Sequence, residues 1–234
     1  MAWILASAGF LLALASLAGD ILGRHYDADQ MWPVTRQFDF SEEGNFANWY
    51  QSFTLLLCAG LLAAIGAVTR QTGGRYRRHW MGLALVFLFV SIDEAAQVHE
   101  TTLSPLLAQL RHRPQAHQGS QAEPPAAASE DTAANKGAWM PVYLAILAVV
   151  TLVYLRFFFA LPPRIRGFFV LAAVLYLGGA VAVEWGCERL AERLGDQPLI
   201  CQGIATLSEL MEMLGGGGVC LCAAFLPRLT AAGA

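Results

Sequence analysis

The sequence predicts an all-α polytopic membrane bundle with six transmembrane helices and both termini in the cytoplasm. Three observations predict it. Hydrophobic residues make up 56% of the chain and charged residues only 14%, with a mean hydropathy of +0.47. A soluble domain carries about 25% charged residues, so water is not the solvent for most of this surface. Apolar stretches of about 20 residues recur six times, each long enough to cross a ~30 Å hydrocarbon core. Two short connections carry arginines and no acid, which marks them as cytoplasmic. The formal net charge of -3 gives no sign of a nucleic-acid partner. Five cysteines are too few for a disulfide framework. Residues 1–234 read as a single transmembrane domain.

The first span is 3–19. Ala13-Leu14-Ala15 resembles a signal-peptidase site, but no Lys or Arg precedes the apolar run, so a membrane helix is the better reading. Residues 20–45 are polar and hold Asp27, Asp29, Asp39, Glu42 and Glu43. Ser41, followed by Glu42 and Glu43, is expected to start the second helix, because a hydroxyl cap and early acids complement the helix dipole. That second span is 46–68, with Trp49 and Tyr50 where interfacial aromatics belong.

The loop 70–79 carries Arg70, Arg75, Arg77 and Arg78. The third span, 80–103, ends before Pro105. Residues 111–137 are rich in Ala, Pro, Gln and Ser without apolar periodicity, and are expected to form a flexible outer loop. The fourth span is 138–161, and Pro162-Pro163-Arg164-Ile165-Arg166 is the second basic turn. The fifth span is 168–187. A mixed-charge loop is expected over 188–202, followed by the sixth span, 203–226. Cys187 and Cys201 bracket that loop and could pair in an oxidising compartment. Cys220 and Cys222 read as packing rather than ligands. Gly215 to Gly218 read as a place of close helix approach or a kink.

The positive-inside orientation has a consequence for the acids. Asp93, Glu94, His99 and Glu100 fall in the outer half of the third helix, and Glu184 and Glu188 at the outer end of the fifth. Glu209 and Glu212 lie ~9 Å and ~14 Å inward from the outer start of the sixth. Ionisable groups at such depth are functional candidates by default. On one continuous helix, Asp93, Gln97 and Glu100 (i, i+4, i+7) would share a face, with His99 about a third of a turn away and Glu94 pointing elsewhere. Glu209 and Glu212 share a face at i, i+3.

A carboxylate pair at that spacing can grip one cation or bracket two. The expected metal ligands are Asp93, His99, Glu100, Glu209 and Glu212, with Glu94 and Glu184 as proton-handling catalytic candidates and Glu43 capping from the loop. Di-iron and di-manganese bundles use Glu-x-x-His pairs, and none occurs here, so the match to them is partial. Iron, manganese, zinc through His99, or an oxygen-seeking ion such as calcium all suit the donor set. The chemistry expected of such a site is metal-assisted hydrolysis or oxidation of a lipid or other interfacial substrate. Three alternatives stand beside it. One is proton or cation passage. Another is a non-catalytic subunit of a membrane complex. In the third, neutral or Arg189- and Arg193-paired acids simply join helices. The expected partners are membrane lipids, with a second copy or another membrane subunit.

The motifs Phe38-Asp39-Phe40-x-x-Glu43-x-Asn45, Trp49-x-x-Ser52, Asp93-Glu94-x4-His99-Glu100 and Glu209-x-x-Glu212-Met213-x-Gly215 carry a resemblance. Through them the chain resembles a group of bacterial multi-pass membrane proteins, over most of its length apart from 111–137. The resemblance implies a multi-pass protein of the bacterial inner membrane and adds weight to these residues, but carries no reaction. The chain differs from the seven-helix zinc amidases and receptor-like hydrolases, whose additional intramembrane histidines are absent here.

Overall fold

The computed structural model describes residues 2–25, 34–40, 44–112, 140–194 and 198–231. Glu43 and residues 113–137 of the expected loop lie outside them. Among the described residues every regular element is helical. The helices are α1 (Ala2–His25), α2 (Phe46–Gln71), α3 (Arg77–Ala96), α4 (Ser104–His112), α5 (Met140–Ala160), α6 (Pro163–Leu194) and α7 (Pro198–Ala231), with a π-helical turn over His99–Leu103. Four of them, α2, α3, α5 and the first part of α6, are long and apolar enough to cross a membrane. Prolines open α6 and α7, where the missing N–H would have no partner anyway.

Several boundaries differ from the sequence reading: α1 runs past the expected end at 19 to His25, α4 covers Ser104–His112 and so enters the expected loop, and two further differences bear on the site. The expected loop over 188–202 is mostly helix, because α6 continues to Leu194 and α7 starts at Pro198. Arg189, Glu192 and Arg193 stand at i, i+3 and i+4, a spacing that supports a solvated helical face as readily as a loop. The third span is shorter than expected. It ends at Ala96, because Gln97 takes a left-handed conformation with φ 52°. The Gln97 carbonyl then accepts from Thr101 N at 2.8 Å and Thr101 Oγ1 at 2.7 Å, and the π turn is closed by Ser104, whose N and Oγ both donate to the His99 carbonyl. Asp93, Gln97 and Glu100 therefore do not share one continuous helical face.

The chain forms two compact units, one of Met1–Ala95 with Phe157–Ala234 and one of Ala96–Arg156. In the first, α6 and α7 pack most closely. A Cβ on Gly179 would lie 2.7 Å from the Ser208 carbonyl oxygen, and one on Gly215 would lie 2.7 Å from Tyr176 N and 2.8 Å from the Ala172 oxygen. The glycines therefore permit backbone-to-backbone contact, as expected for membrane helices. Ser208 Oγ adds a 2.6 Å bond to the Gly179 carbonyl.

Helix α7 also meets α2. Cys58 and Cys220 are disulfide-bonded, with Cα atoms 4.9 Å apart, in a cluster with Ala172 and Val219. The reading of Cys220 as simple packing is thus corrected, because that reading did not consider Cys58 as its partner. The side chains of Cys187 and Cys201 lie outside the described ones. A second cluster joins Ala13, Phe40, Ala47 and Met213. Helices α2 and α3 are joined by a reciprocal serine pair, in which Ser52 Oγ donates to Ser91 O and Ser91 Oγ donates to Ser52 O, both at 2.8 Å. Large apolar side chains cover the outside of this unit: Ile4, Phe53, Leu85 and Val174 are each at least 60% exposed. Such a surface is ordinary in lipid and a liability in water.

Candidate functional site

The site begins at the cap of α2. Asn45 is the N-cap: its Oδ1 accepts from Ala47 N at 2.9 Å and Asn48 N at 3.2 Å, and its Nδ2 donates to Asp39 O. The helix starts where expected, but Asn45 caps it, and Ser41 to Glu43 lie outside the described residues. Phe40 N donates to Ser16 Oγ at 3.2 Å, which ties the segment before the cap to α1. The first turn of α2 is therefore held at both ends.

One turn into α2, Asn48 and Gln51 share a face at i, i+3. Asn48 Nδ2 donates to Glu94 Oε1 at 3.3 Å, and Gln51 Nε2 donates to Glu212 Oε2 at 3.4 Å. Two amides of one helix thus reach acids on two others, α3 and α7. Gln51 is 2% exposed, so its amide is committed to the interior. Glu94 was expected to point away from the other acids. Instead it is an electrostatic neighbour of Glu212, as is Glu209.

Tyr176, on α6, completes the arrangement. Glu212, Glu94, Glu209 and Asp93 all lie within Coulombic reach of its phenol. The backbone of α6 is close enough here that Glu212 Cγ would sit 2.8 Å from a Cβ on Gly179. Asp93 is itself buried. Helices α2, α3, α6 and α7 of one unit therefore bring four carboxylates, two amides and a phenol into one neighbourhood. Among the described residues, no three Asp, Glu, His or Cys side chains are placed as a ready metal-holding group.

The other expected residues fall elsewhere. His99 belongs to the unit of Ala96–Arg156, where its ring meets Tyr143 of α5 edge-on at 6.1 Å. Glu100 lies in the π turn and Glu184 in α6, and their side chains are outside the described ones, as are those of Glu188, Arg189 and Arg193. Sequence reasoning missed Asn48, Gln51 and Tyr176. The amides had a signal: two carboxamides one turn apart inside an apolar span need partners, and acids on neighbouring helices supply them. Tyr176 had none, since a tyrosine in a membrane-type helix is ordinary.

A family profile matches residues 4–227, nearly the whole chain, and its description is "Domain of unknown function (DUF8692)". The chain belongs to that family. No curated protein and no solved structure matches it.

Proposed function

We propose that this chain is a multi-pass protein of the bacterial inner membrane, crossing six times with both termini in the cytoplasm. Near the outer face its carboxylate cluster binds a divalent metal ion, and the site carries out metal-assisted hydrolysis or oxidation of a lipid or other interfacial substrate. One observation supports the reading above the others: Asp93, Glu94, Glu209 and Glu212, from helices α3 and α7, all lie within Coulombic range of the Tyr176 phenol. Four like charges in an apolar bundle repel one another unless protons or a cation neutralise them.

The roles are those that the donor chemistry suggests. Glu209, Glu212 and Asp93, the expected ligands that share one compact unit, are the ligands of this reading. The chemistry a bound ion supplies is activation of water at neutral pH. Glu94, held by Asn48, and Glu184 are the proton acceptors. Gln51 fixes the Glu212 carboxylate, as outer-shell donors commonly do for metal ligands. A second reading, proton or cation passage, draws support from Gln51, Ser52 and Thr54, which continue a buried polar run along α2.

Metal analysis by mass spectrometry of detergent-purified protein tests this reading. The expected result is about one transition metal or calcium per chain in the wild type, lost in Glu209→Gln and reduced in Asp93→Asn. Metal-free wild-type protein, or a Glu209→Gln protein with unchanged content, sinks the metal reading. Proton-driven uptake by liposomes carrying the metal-free protein would then establish passage instead.

A further inference from the structure

We infer that the basic end of α2 and α3 forms a groove for an anionic phospholipid. The inference rests on membrane placement and is independent of the carboxylate site. A cleft of about 720 Å³ opens there, with Arg70 and Arg77 on its rim and Ala63, Gly66, Ala67 and Met81 among its walls.

The helical register sorts these residues by depth. On α2, Ala63, Ala67 and Arg70 stand at i, i+4 and i+7 and so follow one face. On α3, Arg77, Met81 and Leu85 stand at i, i+4 and i+8 and follow another. Each stripe has a guanidinium at the loop end and apolar side chains deeper in. Met81 and Leu85 are exposed, and so is Ala67. The groove is therefore charged at one end and apolar at the other, as a phospholipid is.

Charge complementarity identifies the headgroup. The loop 70–79 holds Arg70, Arg75, Arg77 and Arg78 and no acid. Of these, Arg70 and Arg77 line the cleft, while Arg75 lies over the Tyr76 ring, 5.8 Å from its centre. Guanidinium groups suit phosphate oxygens because their planar forks can bond two at once. Basic pockets between helices at a membrane boundary take anionic headgroups for the same reason. A free phosphate would use the rim alone and leave the apolar walls uncovered. One acyl chain lying over Met81 and Leu85 covers them.

The same end of the unit carries an aromatic cluster apart from the cleft lining. Phe157 is buried beneath three rings of this end, with Trp80 edge-on at 4.8 Å, His79 stacked at 5.3 Å and Tyr76 edge-on at 5.4 Å. Rim substitutions at Arg70 and Arg77 leave that aromatic cluster untouched, so they test the groove without testing the fold.

Native mass spectrometry of the full chain in detergent measures the binding, with palmitoyl-oleoyl-phosphatidylglycerol and the matching phosphatidylcholine as probes. The expected result is about tenfold preference for phosphatidylglycerol in the wild type. Arg70→Gln with Arg77→Gln brings the two lipids to parity. Arg164→Gln with Arg166→Gln removes equal charge from the other basic turn and keeps the preference. Ala67→Phe fills the groove and lowers phosphatidylglycerol retention with both arginines present. Parity in the wild type overturns the inference, as does an equal effect of the Arg164 and Arg166 pair. So does inorganic phosphate at millimolar concentration displacing the lipid from the wild type but not from the Arg70 and Arg77 variant. Recovery of the chain in the alkali-resistant membrane fraction separately tests its membrane placement.

Discussion

Helix α7 makes two contacts of opposite kinds. Against α6 it is joined through glycines, with Gly215 against the Tyr176 and Ala172 backbone and Gly179 against the Ser208 carbonyl and Glu212. Against α2 it is joined through side-chain chemistry, the Cys58–Cys220 bond and the Gln51–Glu212 hydrogen bond. The first contact depends on volume and the second on which atoms are present. Glu212 belongs to both, since its stem lies against α6 and its carboxylate is held by α2. The site therefore depends on a contact that tolerates no added carbon as well as on one that tolerates no lost donor.

The largest effect is expected where the contact is made of volume. Gly215→Leu should cost about 3 kcal/mol or more, because the new side chain meets backbone that cannot move aside. Gly217, two residues on, has open space around it. Gly217→Leu should therefore stay within about 0.5 kcal/mol of the wild type. Thermal unfolding of both variants in detergent checks this. Equal losses would mean that the α6 contact does not decide the cost, since Leu is the better helix former at both positions.

Next in size is the covalent tie. Cys58→Ser with Cys220→Ser should lose about 2–4 kcal/mol. Reductant should lower the unfolding midpoint of the wild type and leave that of the double variant unchanged. Insensitivity of the wild type to reductant would show that the α2 contact does not depend on the bond.

The smallest effect is the hydrogen bond. Buried polar contacts between membrane helices couple by about 0.6 kcal/mol on average and up to about 1.7. A cycle of Gln51→Leu and Glu212→Leu, followed by unfolding midpoints, should give a coupling in that range. Zero coupling would make Gln51 a neighbour of the carboxylate and nothing more. That result would erase the distinction between the two faces of α7 at the level of the site.

Much of this was legible in the chain. The helical class followed from composition, and the start of α2 at Phe46 followed from the polar-to-apolar switch, although Asn45 and not Ser41 provides the cap. Asp93, Glu209 and Glu212 were expected near one end of the bundle and all lie within Coulombic range of Tyr176, whereas Glu94 was expected to point elsewhere and lies there too. The break at Gln97 did not follow. Nothing in Ala95-Ala96-Gln97-Val98 discourages a helix, and a left-handed glutamine is set by its surroundings, not by its own preference. The mutual approach of Glu94 and Asn48 was hidden for the related reason that helix rotation is set by packing. The pairing of Cys58 with Cys220 was hidden too, because residues 162 apart in sequence carry no local signal of contact.

The early end of α3 has an electrostatic consequence. A helix carries about half a negative charge at its C-terminus, from carbonyls that lack intrahelical partners. Stopping at Ala96 places that terminus within one turn of Asp93 and Glu94. Had the helix continued to Leu103, its negative pole would lie about 10 Å further on. The backbone thus places partial negative charge beside Asp93 and Glu94, offset in part by the positive start of the π turn at His99. A substitution that removes one carboxylate leaves that part of the field in place.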